Sequence, residues 1–237
     1  MSHIQLNKLS LAYPAYGTKA RSLKVSLMQV ATGGKLLRAA KKATVLALQD
    51  LSFELHPGDR LGLIGHNGSG KTSLLKVLAG IYPPTSGTLS VSGRINSLFN
   101  VMVGMDHGLT GYENIFLRGL LLGLSKGEIQ KKIPEIAAFA ELGDFLQMPL
   151  NTYSTGMLVR LGFSIMTCVR SDILLIDEIF GTGDAPFIAK AKAKIEELAH
   201  PSNILVLSTH DEEMIRTFCN KILWLEHGTV KYFGDPV

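Results

Sequence analysis

The chain has 237 residues, 46% hydrophobic and 19% charged, which suits a folded globular protein and is too apolar for disorder. Its longest apolar stretch, residues 115–124, is too short to cross a bilayer, and the first ten residues lack the charged head and apolar run of a secretion signal. The net charge of +4 is unevenly spread: residues 1–49 hold eight Lys or Arg and no acid, while the remainder carries sixteen basic and twenty acidic residues, unlike a uniformly basic nucleic-acid binder.

Taken in chain order, "IQLNKLSLAY" (4–13) alternates as a strand does, and "ALQDLSFELHPGD" (47–59) reads as a second strand ending in a Pro-Gly turn. The apolar run "RLGLIG" (60–65) enters a glycine loop, and "KTSLLKVLAG" (71–80) has helical spacing closed by glycine. "GTLSVSGRI" (87–95) is expected to be one strand. Thr110 and Glu113 form a capping box before an apolar helix, and further helices are expected over 126–141 and 155–169. "DILLIDE" (172–178) does not alternate, as befits a strand covered on both faces of a parallel sheet. A helix over 185–199 leads to a second such strand, "NILVLSTH" (203–210), and residues 221–234 read as a hairpin turning across "EHGT". Cys168 and Cys219 are isolated, without metal-ligand spacing, and read as buried thiols in a reducing, cytoplasmic compartment. The expectation is an α/β fold in a single domain over 1–237: a mainly parallel core, an antiparallel β-subdomain, and a helical subdomain at about 110–170.

Residues 65–73, Gly65, His66, Asn67, Gly68, Ser69, Gly70, Lys71, Thr72 and Ser73, fit the P-loop pattern of NTPases between a strand and a helix. Glycines let successive backbone N–H groups approach phosphate oxygens, and the following helix adds its amino-terminal dipole. Lys71 is placed to reach the β- and γ-phosphates of a nucleotide such as ATP, and the Thr72 hydroxyl to ligate Mg²⁺. Asp177, after four apolar residues, is the expected second Mg²⁺ contact; Glu178 beside it is the candidate general base, and His210, ending the next buried strand, faces the same sheet edge.

At this point the residues resemble the nucleotide-binding subunits of ABC transporters. "GHNGSGKT" resembles the Walker A motif, "NTYSTGM" (151–157) the family signature, "ILLIDE" Walker B, "GTGD" (181–184), with Asp184, the D-loop, and "STH" (208–210) the switch histidine. The signature departs from Leu-Ser-Gly-Gly-Gln, reading Tyr153-Ser154-Thr155-Gly156-Met157, but keeps Ser154 and Gly156, which the resemblance places against the γ-phosphate of an opposing subunit. A homodimer with two composite ATP sites is implied. No glutamine stands where the family's Q-loop is expected; Asn100 is the nearest polar candidate. The aromatic that stacks on adenine is matched by Tyr13, with Tyr16 as the alternate.

Tyr13 lies about twice the family's usual distance from Gly65, and the excess is the basic segment 17–43. There Leu23, Leu27 and Val30 share one helical face, and Gly33-Gly34 ends the pattern. Such a helix suits a membrane surface, a partner subunit or its own domain. Insertion, signature and "GLTGYENI" together resemble the branch that exports lipid-linked polysaccharides such as O-antigen, capsule and teichoic acid. That resemblance implies a peripheral ATPase on the cytoplasmic face of the inner membrane. Its implied partners are two polytopic channel subunits and a lipid-linked glycan, and no nucleic acid. The carbohydrate-binding domain that some relatives carry at the carboxyl end is not expected. A transporter of another substrate, lipid or drug, stays open, as does a soluble ABC-type ATPase.

Overall fold

The computed structural model describes residues 2–14, 44–99, 101–177, 185–199, 202–209 and 212–236. The basic segment 17–43 lies outside them. Two sheets frame the molecule. Strands β1 (His3–Pro14), β2 (Thr44–Leu55) and β4 (Ser86–Ser92) form an antiparallel sheet in the order β2-β1-β4. The second sheet is built from β3 (Arg60–Ile64), β5 (Ile95–Leu98), β6 (Ile173–Asp177), β7 (Ile204–Ser208), β8 (Lys221–Glu226) and β9 (Thr229–Gly234). Their order is β5-β6-β7-β3-β8-β9, parallel except for the closing β8–β9 hairpin.

The single strand expected over 87–95 is two strands in different sheets. Gly93, at φ 118°, turns the chain out of the antiparallel sheet. A Cβ there would press on Asp172 and Ser2, and the Asp172 carboxylate accepts the next N–H, that of Arg94, at 2.8 Å. Alternation continues across the break, so local pattern alone does not reveal it.

The central strands are covered on both faces, as their unbroken apolar runs require. In β6, Ile173 and Leu175 face one cluster while Leu174 and Ile176 face another; Ile204/Val206 and Leu205/Leu207 divide β7 the same way. The first cluster holds helix α1 (Lys71–Leu78) and the inner face of the antiparallel sheet. The second is closed by α4 (Thr155–Thr167), α5 (Ala185–Ala199) and α6 (Glu212–Phe218). A third cluster joins α2 (Gly111–Leu121) and α3 (Lys126–Ala140) to the opposite side of α4. Thus α4 is a shared wall: Val159, Phe163 and Met166 pack toward the sheet, and Leu158, Leu161 and Ile165 toward the helical unit.

The capping box expected at Thr110 and Glu113 is present, and Ser125 with Glu128 forms a second at the head of α3. Helix α6 and two 3₁₀ turns, Gly143–Gln147 and Leu150–Thr152, lay outside the sequence expectation. No described helix is long and apolar enough to cross a membrane. Both cysteines are buried, and burial pushes the Cys219 thiol up to about 12.

Candidate functional site

Strand β3 delivers the chain to Gly65, and α1 begins at Lys71, so residues 65–70 form the loop between them. Gly65, Gly68 and Gly70 have φ of 148°, 81° and 110°, and a Cβ on Gly65 would stand 2.3 Å from the Leu225 carbonyl oxygen. Side chains at these positions would be strained or blocked, so the loop keeps an open backbone surface for a phosphate chain. Lys71 is buried and its ammonium donates to the carbonyls of Gly65 at 2.6 Å and His66 at 3.2 Å.

Thr72, in the first turn of α1, donates its hydroxyl to Oδ2 of Asp177 at 2.7 Å, although 105 residues separate the two. Asp177 ends β6 on the face that looks toward α1, opposite Ser208 in the β6–β7 register. A carboxylate and a hydroxyl oxygen side by side are the donor set of a small, hard dication such as Mg²⁺. Two hydroxyls in the same region, Ser69 Oγ and Ser208 Oγ, are buried without a partner among the described residues. Polar groups left unpaired in a site await a ligand or water. Cradle, cation and oxygen pair therefore fit a magnesium-bound nucleotide.

The cleft beside the loop has a volume of about 450 Å³. Asn67, Gly68 and the run Gly70 to Ser73 line one side; Tyr13, Val45, Leu46 and Ala47 line another; His227 and Gly228 complete it. Tyr13 is held by its hydroxyl to Ser73 Oγ, 3.2 Å away, and edge-on against Tyr82, with ring centroids 5.5 Å apart. The expected aromatic is therefore in the cleft, whereas Tyr16 lies outside the described residues.

Sequence reasoning missed the rest of this wall. Val45 is set opposite Tyr13 by the β1–β2 register, and Val45 and Leu46 are exposed. On the far side the β8–β9 turn grips the loop: Gly228 N–H donates to the Ser69 carbonyl at 2.9 Å, and Gln49 N–H donates to the Gly228 carbonyl at 2.8 Å. The His66 and His227 rings lie 4.8 Å apart. No residue type announces these roles; the only sequence signal was the turn across "EHGT".

Ser154 caps α4, its Oγ accepting the Met157 N–H at 3.3 Å, and Thr155 and Gly156 form the first turn of that helix. Tyr153 is buried and its hydroxyl donates to the Phe145 carbonyl at 2.6 Å. Among the described residues, the Ser154 turn shares no hydrogen bond with the glycine loop. The structure thus brings Tyr13, residues 65–73 and Asp177 together, and no hydrogen bond among the described residues joins the signature turn to them. Asn100, Glu178, Asp184 and His210 lie outside the described residues.

The sequence profile of the ABC transporter family matches residues 48–181, more than half of the chain. The O-antigen export system ATP-binding protein RfbE of Yersinia enterocolitica is 46% identical over 231 residues, 97% of each chain. The teichoic acids export ATP-binding protein TagH of Listeria innocua is 36% identical over 98% of this chain and 67% of its own length. The O-antigen export system ATP-binding protein RfbB of Myxococcus xanthus is 39% identical over 91% of this chain, which covers 49% of that relative. Among solved structures, the ATP-binding subunit of an ABC transporter superposes with a TM-score of 0.73 at 22% identity, over 98% of this chain and 89% of its own. The dimeric cassette MJ0796, in a post-hydrolysis state with ADP and Pi, also gives 0.73, at 20% identity over 98% of both chains. These two likenesses establish the fold, and with the family match and the near end-to-end alignments they lead to one conclusion: the chain belongs to the ABC transporter family of ATP-binding proteins.

Proposed function

We propose that the chain is the ATP-hydrolysing subunit of an exporter that moves a lipid-linked polysaccharide across the inner membrane. The observation that carries the hydrolytic half is the Thr72–Asp177 bond, which sets two oxygen donors beside the glycine loop. The substrate class is supported by near full-length similarity to an O-antigen export ATP-binding protein.

On this reading Lys71 leaves the Gly65 and His66 carbonyls and turns to the β- and γ-phosphates of ATP. The loop's N–H groups hold the phosphate chain, and Tyr13 offers its ring to the base. Thr72 and Asp177 would hold Mg²⁺, whose charge offsets that of the phosphate oxygens. Glu178, next after Asp177, accepts the proton of the attacking water as the bond from the γ-phosphorus to the ADP oxygen breaks. His210 orients the γ-phosphate, Asn100 stands in for the family's glutamine, and Asp184 belongs to the D-loop.

Each site is completed by Ser154, Thr155, Gly156 and Met157 of a second copy, so ATP closes a homodimer and hydrolysis reopens it. The dimer works beneath two polytopic channel subunits at the cytoplasmic face, with the basic segment 17–43 toward the membrane or the channel.

Lys71→Ala in the native host tests the whole reading. Surface polysaccharide should disappear, its lipid-linked precursor should remain inside, and the purified variant should lose ATP turnover by on the order of a hundredfold or more. Retained turnover would remove Lys71 from the site. Lost turnover with normal surface polysaccharide would leave the ATPase standing and sink the substrate.

A further inference from the structure

The loop that leaves β5 meets the helical unit around one buried charge. Arg118, on α2, is 5% exposed, and its guanidinium donates to the carbonyl oxygen of Val101, itself buried. Helix α4 approaches the same carbonyl: a Cβ built on Gly162 would stand 2.3 Å from that oxygen. One backbone oxygen is therefore the meeting point of three elements: the segment after β5, helix α2, and the helix whose first turn is the signature.

A cation is a costly filler for such a place. Burial lowers the Arg118 pKa to about 10, so it remains charged at neutral pH without being well solvated. Among the described residues no carboxylate pairs with it. An apolar side chain of similar volume would pack there without the desolvation cost. What the guanidinium adds is a charge-assisted bond to a loop carbonyl, stronger and more directional than packing. The absence of a side chain at Gly162 lets the signature helix approach the same point from the other side.

We propose that Arg118 is a positioning residue for ATP hydrolysis, fastening the segment that begins at Val101 to α2 and α4 so that it and the signature turn move as one piece. This rests on the ATPase reading above. Arg118 touches no nucleotide; it governs whether the arrival of the signature at an opposing site and the movement of the loop after β5 occur together. Its loss should spare ATP binding, which depends on the glycine loop and Lys71, and reduce turnover, which depends on alignment.

The test compares the purified full-length wild type with Arg118→Met, Arg118→Lys and Gly162→Ala, using a fluorescent ATP analogue for affinity, steady-state phosphate release for kcat, and thermal unfolding. Arg118→Met should bind the analogue within about twofold of wild type while kcat falls roughly ten- to a hundredfold, the scale of a misplacement of about 1 Å. Arg118→Lys, which keeps a donor and the charge, should recover much of that loss. Gly162→Ala should give the same split, and adding it to Arg118→Met should cost less than the two losses combined, since both act on one carbonyl. Unchanged kcat in Arg118→Met, or no recovery in Arg118→Lys with unfolding unchanged, would overturn the proposal. A parallel fall in affinity, kcat and unfolding midpoint across the variants would also overturn it and make the residue a fold element. Absence of turnover in the wild type, with Lys71→Ala indistinguishable from it, would instead sink the ATPase reading, and the proposal with it.

Discussion

Thr72 and Asp177 hold one another across the site, and on the proposed reading a bound Mg²⁺ would take the place of that hydrogen bond. The bond keeps the two oxygens 2.7 Å apart, so the pair would need little rearrangement to hold a small dication. Asp177→Asn separates holding from charge, because an amide can still bond the Thr72 hydroxyl. The expected outcome is ATP binding that is unchanged without magnesium and loses its magnesium-dependent tightening by about tenfold or more, read by calorimetry with and without the ion. Full tightening in the variant would remove Asp177 from the metal site. At this scale the sequence was highly legible where chemistry dictates residue type: glycines, a lysine, a hydroxyl and a carboxylate at set spacing. It was silent where position alone matters. Val45, Leu46 and His227 enter the cleft by strand register and turn geometry, and other residues would occupy those positions equally well as far as any local pattern reveals.

Among the elements, the helices carry their own start signals. Thr110 with Glu113 and Ser125 with Glu128 each exchange bonds between side chain and backbone, which fixes where α2 and α3 begin. The Glu113 carboxyl is held below its ordinary pKa first by the Thr110 N–H and then by the Thr110 hydroxyl; the Glu128 carboxyl is held below first by the Ser125 hydroxyl and then by the Ser125 N–H. A depressed folded-state pKa means stabilisation that is present above the ordinary carboxylate range and is lost as pH falls through the folded value. Glu113→Gln should therefore lower the thermal midpoint at neutral pH, with the gap to wild type closing in acid. A gap independent of pH would show that the charge contributes nothing. Local signals of this kind explain why the starts of α2 and α3 were read well, while the break at Gly93 was not. That break depends on Asp172, nearly eighty residues away, which accepts the Arg94 N–H.

For the whole molecule, the decisive fact is that the Ser154 turn is exposed at the head of α4 and, among the described residues, shares no hydrogen bond with the glycine loop. On the proposed composite site, a second copy would supply the signature turn. If Glu178 is the general base as proposed, Glu178→Gln should accumulate as a dimer in ATP and magnesium, with twice the 25.7 kDa mass of one chain by light scattering. A monomer at saturating ATP would end the composite-site reading. This proposed assembly was open to sequence only through family resemblance, because no spacing in one chain states what a symmetric partner would contribute.

The β8–β9 turn has a consequence for how the protein is made. The glycine loop is supported by Gly228, and β3, which leads into it, is flanked by β7 and β8, with the Arg60 N–H bonded to Asn220 across 160 residues of sequence. A ribosome that has finished the whole phosphate-binding motif has still not produced the strands that hold it in shape. On the proposed nucleotide site, the nascent chain should need residues 221–234 before it grips a nucleotide, so that ATP would stabilise only a chain whose synthesis has passed that point.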